Sequence, residues 1–120
     1  MKVLYHTSNP KFREKIKQEG LKPQVGDEYF LHWEGEFFND KKVTSKDDLI
    51  PYLFLSEKPY DSGYDDDIWE VNINNVILQK DPANIEGAYV TTEKIPSENL
   101  SLIYEGTGES LWEVLSELEE

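Results

Sequence analysis

The stretch VLYHTSNPKFREKIKQEGLKP, residues 3–23, constrains the fold more than any other part of the chain. Residues 2–6, KVLYH, are rich in β-formers and predict a strand buried on both faces or nearly so. Asn9 can cap a helix, and Pro10 stands at the first helical position, where its missing N–H costs nothing. The spacing predicts that this helix runs to about Glu19, with Phe12 and Ile16 four apart on one face. Gly20 is placed to stop it in a left-handed cap, with Leu21 as the hydrophobic contact.

After that helix the apolar residues come in short runs. EYFLHW and EFF flank Glu34-Gly35 and predict a hairpin, and SKDDL predicts a short capped helical turn. PYLFLS at 51–56 predicts a strand, followed by the polar loop EKPYDSGYDDD. Further strands are expected at about 68–73 and 76–79, separated by Asn74-Asn75, then within 87–96 and 100–105. Leu111, Val114, Leu115 and Leu118 recur at helical spacing, predicting an amphipathic helix from about Gly108 with Thr107 as its cap. The pattern predicts a single α+β domain of short, mostly antiparallel strands in a split or packed pair of sheets, with an N-terminal helix after strand one and a C-terminal amphipathic helix. There is no regular βαβ alternation and no glycine-rich phosphate loop, which disfavours a doubly wound nucleotide-binding fold.

Charge limits the partners. The chain carries 25 acidic against 12 basic residues, a formal net charge of −13, so it repels phosphate backbones and anionic membranes, and non-specific nucleic-acid binding is not expected. Lys11, Arg13, Lys15, Lys17 and Lys22 concentrate the positive charge in one stretch, a pattern that usually marks a solvated helix face. The absence of cysteine removes disulfides and thiolate chemistry and permits a reducing compartment. With no long apolar run and too short an N-terminal one for a signal peptide, no membrane association and a cytoplasmic location are expected. Asp61, Asp65, Asp66 and Asp67 lack EF-hand spacing and read as a solvated loop, and His32 has no second ligand nearby, so no metal site is expected.

His6, Thr7 and Ser8 put an imidazole and two hydroxyls at the end of the first strand. A histidine there often serves structure alone, so any chemistry depends on partners further along. Those partners come in a recognisable order: the helix closing in EGLKP, then YLFLS with its tyrosine-bearing loop, then AYVTTEKIPSENL. In this order, over residues 3–104, the chain resembles the ADP-ribosyltransferase superfamily, which includes poly(ADP-ribose) polymerases, tRNA 2′-phosphotransferases and small bacterial and phage-borne transferases. The resemblance implies NAD as substrate and transfer of ADP-ribose to an acceptor with release of nicotinamide. It implies that His6 binds a ribose hydroxyl of NAD, with Thr7 and Ser8 along the same edge. Neutral imidazole suits that role because it both donates and accepts. Phe54 falls where the family stacks an aromatic, usually tyrosine, on nicotinamide, with Ser56 on the same face of its strand. Tyr60 and Tyr64 are further candidates for contact with NAD.

The family's third element is a glutamate at the start of a late strand, where it stabilises positive charge developing at the ribose carbon as nicotinamide leaves. The matching position is Ala88, or Tyr89 after a one-residue slip, and neither is a carboxylate. Glu86 shares the parity of Ala88 and is the expected catalytic carboxylate, alongside His6, if the strand starts early. Glu93, of opposite parity, would need a bulge. Thr7 also replaces the family's usual glycine and crowds a close backbone approach. The leading expectation is an NAD-dependent ADP-ribosyltransferase with an unknown acceptor. The alternative is a catalytically degenerate acidic interaction or inhibitor module on the same fold, engaging a basic protein. An RNA 2′-phosphotransferase would need several cations around a phosphate, against the acidic balance.

Overall fold

The computed structural model describes residues 2–111. Along the chain run β1 (Val3–Ser8), α1 (Arg13–Glu19), α2 (Asp27–Trp33), β2 (Phe37–Phe38), β3 (Lys41–Lys42), β4 (Leu53–Ser56), β5 (Asp67–Asn72), β6 (Gln79–Lys80), β7 (Ala88–Thr91) and β8 (Leu100–Tyr104). The architecture is α+β. In place of a split or packed pair of sheets, six strands form one antiparallel sheet of order β6-β7-β4-β1-β5-β8, with β2 and β3 as a separate hairpin. The large sheet is nevertheless thin at its centre. β1 pairs with β5 along its whole length, from Val3 opposite Asn72 to Ser8 opposite Asp67, but meets β4 only at Tyr5 opposite Ser56.

Alternation along the strands sorts two cores. Leu4, Leu53, Leu55, Trp69 and Val71 point to one face, where Ile16 of α1, Leu21 and Ile95 close over them. On the other face, Tyr52 and Val90 are covered by Tyr29, Phe30 and Trp33 of α2 and by Phe38 and Val43 of the hairpin region. Because α2 and the hairpin cover β4 and β7, β1 is not buried on both faces: Leu4 is fully buried, while Tyr5 and Thr7 are half-buried.

The predicted first helix divides in two. The Asn9 side chain accepts from the Lys11 N–H, and Pro10–Phe12 form a 3-10 turn that passes into α1. The change of pitch takes Phe12 off the face of Ile16, leaving it largely exposed beneath the Lys11 ammonium, 5.0 Å from the ring centre. Gly20 does stop α1, but at φ 77° and ψ −165°, a glycine conformation outside the left-handed helical region. Leu21 and Ile95 exchange two 2.9 Å backbone hydrogen bonds beside it, and a Cβ on Gly20 would lie 2.2 Å from the Ile95 carbonyl oxygen.

EYFLHW forms helix, in contrast to the predicted hairpin arm. Tyr29, Phe30 and Trp33 fall at helical spacing on the second core, and Asp27 and Glu28 occupy the first turn, where the helix dipole favours them. The hairpin turns instead at Asn39 and Asp40, both at positive φ, 51° and 64°, as a tight two-residue turn requires. SKDDL forms the predicted capped turn, with Ser45 and Asp48 bonding reciprocally. Of the predicted strand at 76–79 only Gln79 joins β6, which pairs with β7 at the far edge; Val76 and Leu78 pack on the first core instead. The loop aspartates are not simply solvated, since Asp67 is completely buried. The predicted C-terminal helix does not begin at Gly108 behind a Thr107 cap, because residues 107–110 are non-helical and Ser110 bridges to Tyr64; Val114, Leu115 and Leu118 lie outside the described residues.

Candidate functional site

Strand alternation separates the residues singled out by sequence. His6 and Ser8 share the face of Leu4 and Trp69, whereas Thr7, Phe54 and Ser56 belong to the opposite face. His6 reaches across the thin centre of the sheet, its Nδ1 2.9 Å from the Phe54 carbonyl oxygen. A carbonyl only accepts, so Nδ1 carries the proton and Nε2 of the neutral ring is an acceptor. Burial pushes the His6 pKa down, against the opposing pull of the bond to Phe54. Among the described residues Nε2 has no hydrogen-bond partner.

The other predicted residues have mostly structural partners. Ser8 Oγ accepts from the Trp69 indole N–H at 3.1 Å. Thr7 Oγ1 donates to the Tyr60 carbonyl at 3.2 Å, and the Ser56 hydroxyl donates to the Lys58 carbonyl; together they shape the start of the 57–66 loop. The Phe54 ring meets Tyr29 edge-on, centroids 5.1 Å apart, and so helps seat α2. Tyr60 and Tyr64 are exposed, at 66% and 55%.

Four of these residues gather at one cleft of about 370 Å³. Thr7 and Ser8 contribute the end of β1, followed by Asn9; Tyr60, Ser62, Tyr64 and Asp66 come from the loop. Glu28 of α2 and Gly108 complete the lining. His6, Phe54, Ser56 and Glu86 are not among the lining residues. Glu28 is not among the residues the sequence singles out, because EYFLHW, which begins with it, reads there as a hairpin arm. The signal was the Gly26-Asp27-Glu28 start, an acidic first turn ahead of helically spaced aromatics.

The carboxylates expected near β7 are placed elsewhere. Ala88 lies opposite Ser56, which lies opposite Tyr5, so the row crossing into β1 carries no acid at that point. β7 begins at Ala88, and Glu86 sits exposed in the turn closed by the Ala88 N–H to Ile85 carbonyl bond. Glu93 Oε2 accepts from the Ile77 N–H at 2.8 Å, a structural bond near the sheet edge.

Electrostatically the cleft is negative, with Glu28 and Asp66 and no Lys or Arg among the described residues that line it. Lys11 and Lys58 stand two residues from the lining residues Asn9 and Tyr60 without lining the cleft themselves, and Arg13 is committed elsewhere. Its guanidinium donates to both Asp67 oxygens, at 2.9 and 2.7 Å, and to the Gly106 carbonyl. Burial would raise the Asp67 pKa, but Arg13 and the Gly106 N–H hold it below the ordinary value. Asp65 is also held low, by the Tyr104 hydroxyl first and then by the Thr107 N–H and hydroxyl. Among the described residues no cluster of His, Asp and Glu fits a metal ion, and no helix is long and apolar enough to cross a membrane. No protein-family model matches the chain, and no curated protein matches it.

Proposed function

We propose that the chain is a binding module on an ADP-ribosyltransferase-like fold, whose cleft receives a cationic group from a basic protein partner. The observation that carries this reading is the makeup of the cleft among the described residues: two carboxylates, two largely exposed tyrosines and no cation. A lysine or arginine side chain meets complementary charge there and a ring face for its cation. The pyrophosphate of NAD would face Glu28 and Asp66 with no basic group in the described lining to offset them. The alanine at position 88 supports the same reading, because transfer of ADP-ribose needs a carboxylate beside the developing positive charge.

The rival reading, an NAD-dependent transferase acting on an unknown acceptor, is favoured by one observation: His6 Nε2 is an acceptor with no partner among the described residues, suited to a ribose hydroxyl. Parallel calorimetric titrations with a lysine-rich peptide and with NAD, combined with an assay for free nicotinamide, separate the two. Peptide binding without nicotinamide release is the expected result. NAD binding accompanied by nicotinamide release would show cleavage of NAD and overturn the binding-module reading.

A further inference from the structure

Residues 105–111 run alongside the tyrosine-bearing loop and are fastened to it at several points. The Asp65 N–H donates to the Glu109 carbonyl and the Gly108 N–H to the Asp65 carbonyl, both at 2.7 Å, and the Leu111 N–H donates to the Gly63 carbonyl at 3.0 Å. Tyr64 and Ser110 form an antiparallel bridge between the two segments. Side chains hold the 105–111 segment at two points: at Gly106, whose N–H donates to buried Asp67 at 2.9 Å and whose carbonyl accepts from Arg13 at 3.0 Å, and at Asp65. The Asp65 carboxylate accepts from the Thr107 N–H and hydroxyl, each at 3.0 Å, and from the Tyr104 hydroxyl. The register shift between β5 and β8 at Ile68 and Trp69 brings Tyr104 opposite Ile68, at the end of β8 from which this contact is made. The fit is close: a Cβ on Gly106 would lie 2.1 Å from the Asp65 carbonyl oxygen. Gly108, in the middle of the segment, is part of the cleft lining.

We propose that residues 105–111 are a strap forming one wall of the cleft, and that Asp65 is the positioning residue that seats it and fixes Tyr64 at the cleft. The ligand-binding part of this inference rests on the cleft being a binding site. Neither hydrophobic core includes a residue from 57–66 or 105–111, so the strap can loosen while the sheet stays folded. The carboxylate matters as a charged acceptor serving three donors at once, a role the amide of asparagine does not reproduce.

Amide hydrogen exchange and peptide affinity test this in the whole chain. In Asp65→Asn, exchange at the backbone N–H groups of the substituted residue, Gly108 and Leu111 should accelerate about tenfold or more, while β1 and β5 amides exchange as in wild type. Affinity for a lysine-rich peptide should fall about tenfold. Thr107→Ser, which keeps the hydroxyl donor, should preserve both properties, whereas Thr107→Val should loosen the strap. Gly106→Ala should loosen it by steric exclusion with Asp65 intact. Unchanged exchange in Asp65→Asn overturns the seating role, and faster exchange with undiminished peptide affinity overturns the wall. A wild type that binds no peptide overturns the cation reading of the cleft, and with it the wall as a binding element, while exchange still decides the seating role.

Discussion

His6 spans the place where the sheet is held by a single pair, and that position gives the imidazole a structural task beyond any contact with ligand. Replacing it with alanine removes the bond to Phe54 and leaves that carbonyl without its partner. His6→Ala should therefore lower stability by about 1–2 kcal/mol in urea denaturation followed by tryptophan fluorescence. The same group makes stability pH-dependent. Its folded pKa lies below the ordinary value of 6.5, so the unfolded chain takes the proton first. Its contribution is complete above that value and is lost as pH falls through the folded pKa, and His6→Ala should flatten this dependence. The strand that carries the histidine was legible, though it runs on past His6 to Ser8 where the sequence predicts an end at His6. The bond from His6 to Phe54 was not, because 48 residues separate the partners. The burial of Asp67 was hidden likewise: its partner Arg13 sits 54 residues away, in what reads as a solvated basic run.

At the scale of elements, local punctuation located β1, α1, β4 and the Ser45-capped turn, since Asn9, Pro10, Gly20 and Ser45 act through neighbours in the chain. It failed where tertiary packing decides. EYFLHW has enough aromatic residues to suit a strand, and the surface offered by Tyr52 and Val90 reinforces the acidic first turn in selecting the helix. Val76 and Leu78 resemble strand residues, yet the first core takes them and the ladder does not. Two substitutions test these assignments. Gly20→Ala should destabilise by more than about 1 kcal/mol, because the positive φ and the Ile95 carbonyl both exclude a Cβ. Asp40→Gly should stabilise by up to about 1 kcal/mol by relieving a positive φ at the tip of the β2–β3 turn, as read from the midpoint of thermal unfolding.

Across the molecule, a net charge of −13 is distributed over a sheet joined at its middle by one rung. Asp27, Asp48, Asp65 and Asp67 are all held below the ordinary carboxylate value of 3.8, by Lys46, by Lys41, by Tyr104, and by Arg13 against the cost of burial, respectively. Each contributes stability that is present above that value and lost as pH falls through its folded pKa, so acid unfolding followed by circular dichroism should begin as pH drops below about 4. The charge also bears on function. Sequence alone brought Thr7, Ser8, Tyr60 and Tyr64 into consideration, but the sign of the cleft became visible only when α2 delivered Glu28 beside Asp66. The most direct measurement is the affinity of a lysine-rich peptide for wild type and for Glu28→Gln/Asp66→Asn, with thermal unfolding recorded for both. A cation-binding cleft predicts a loss of about tenfold or more in the double variant, with little change in melting temperature. Equal affinity for the two proteins would contradict it.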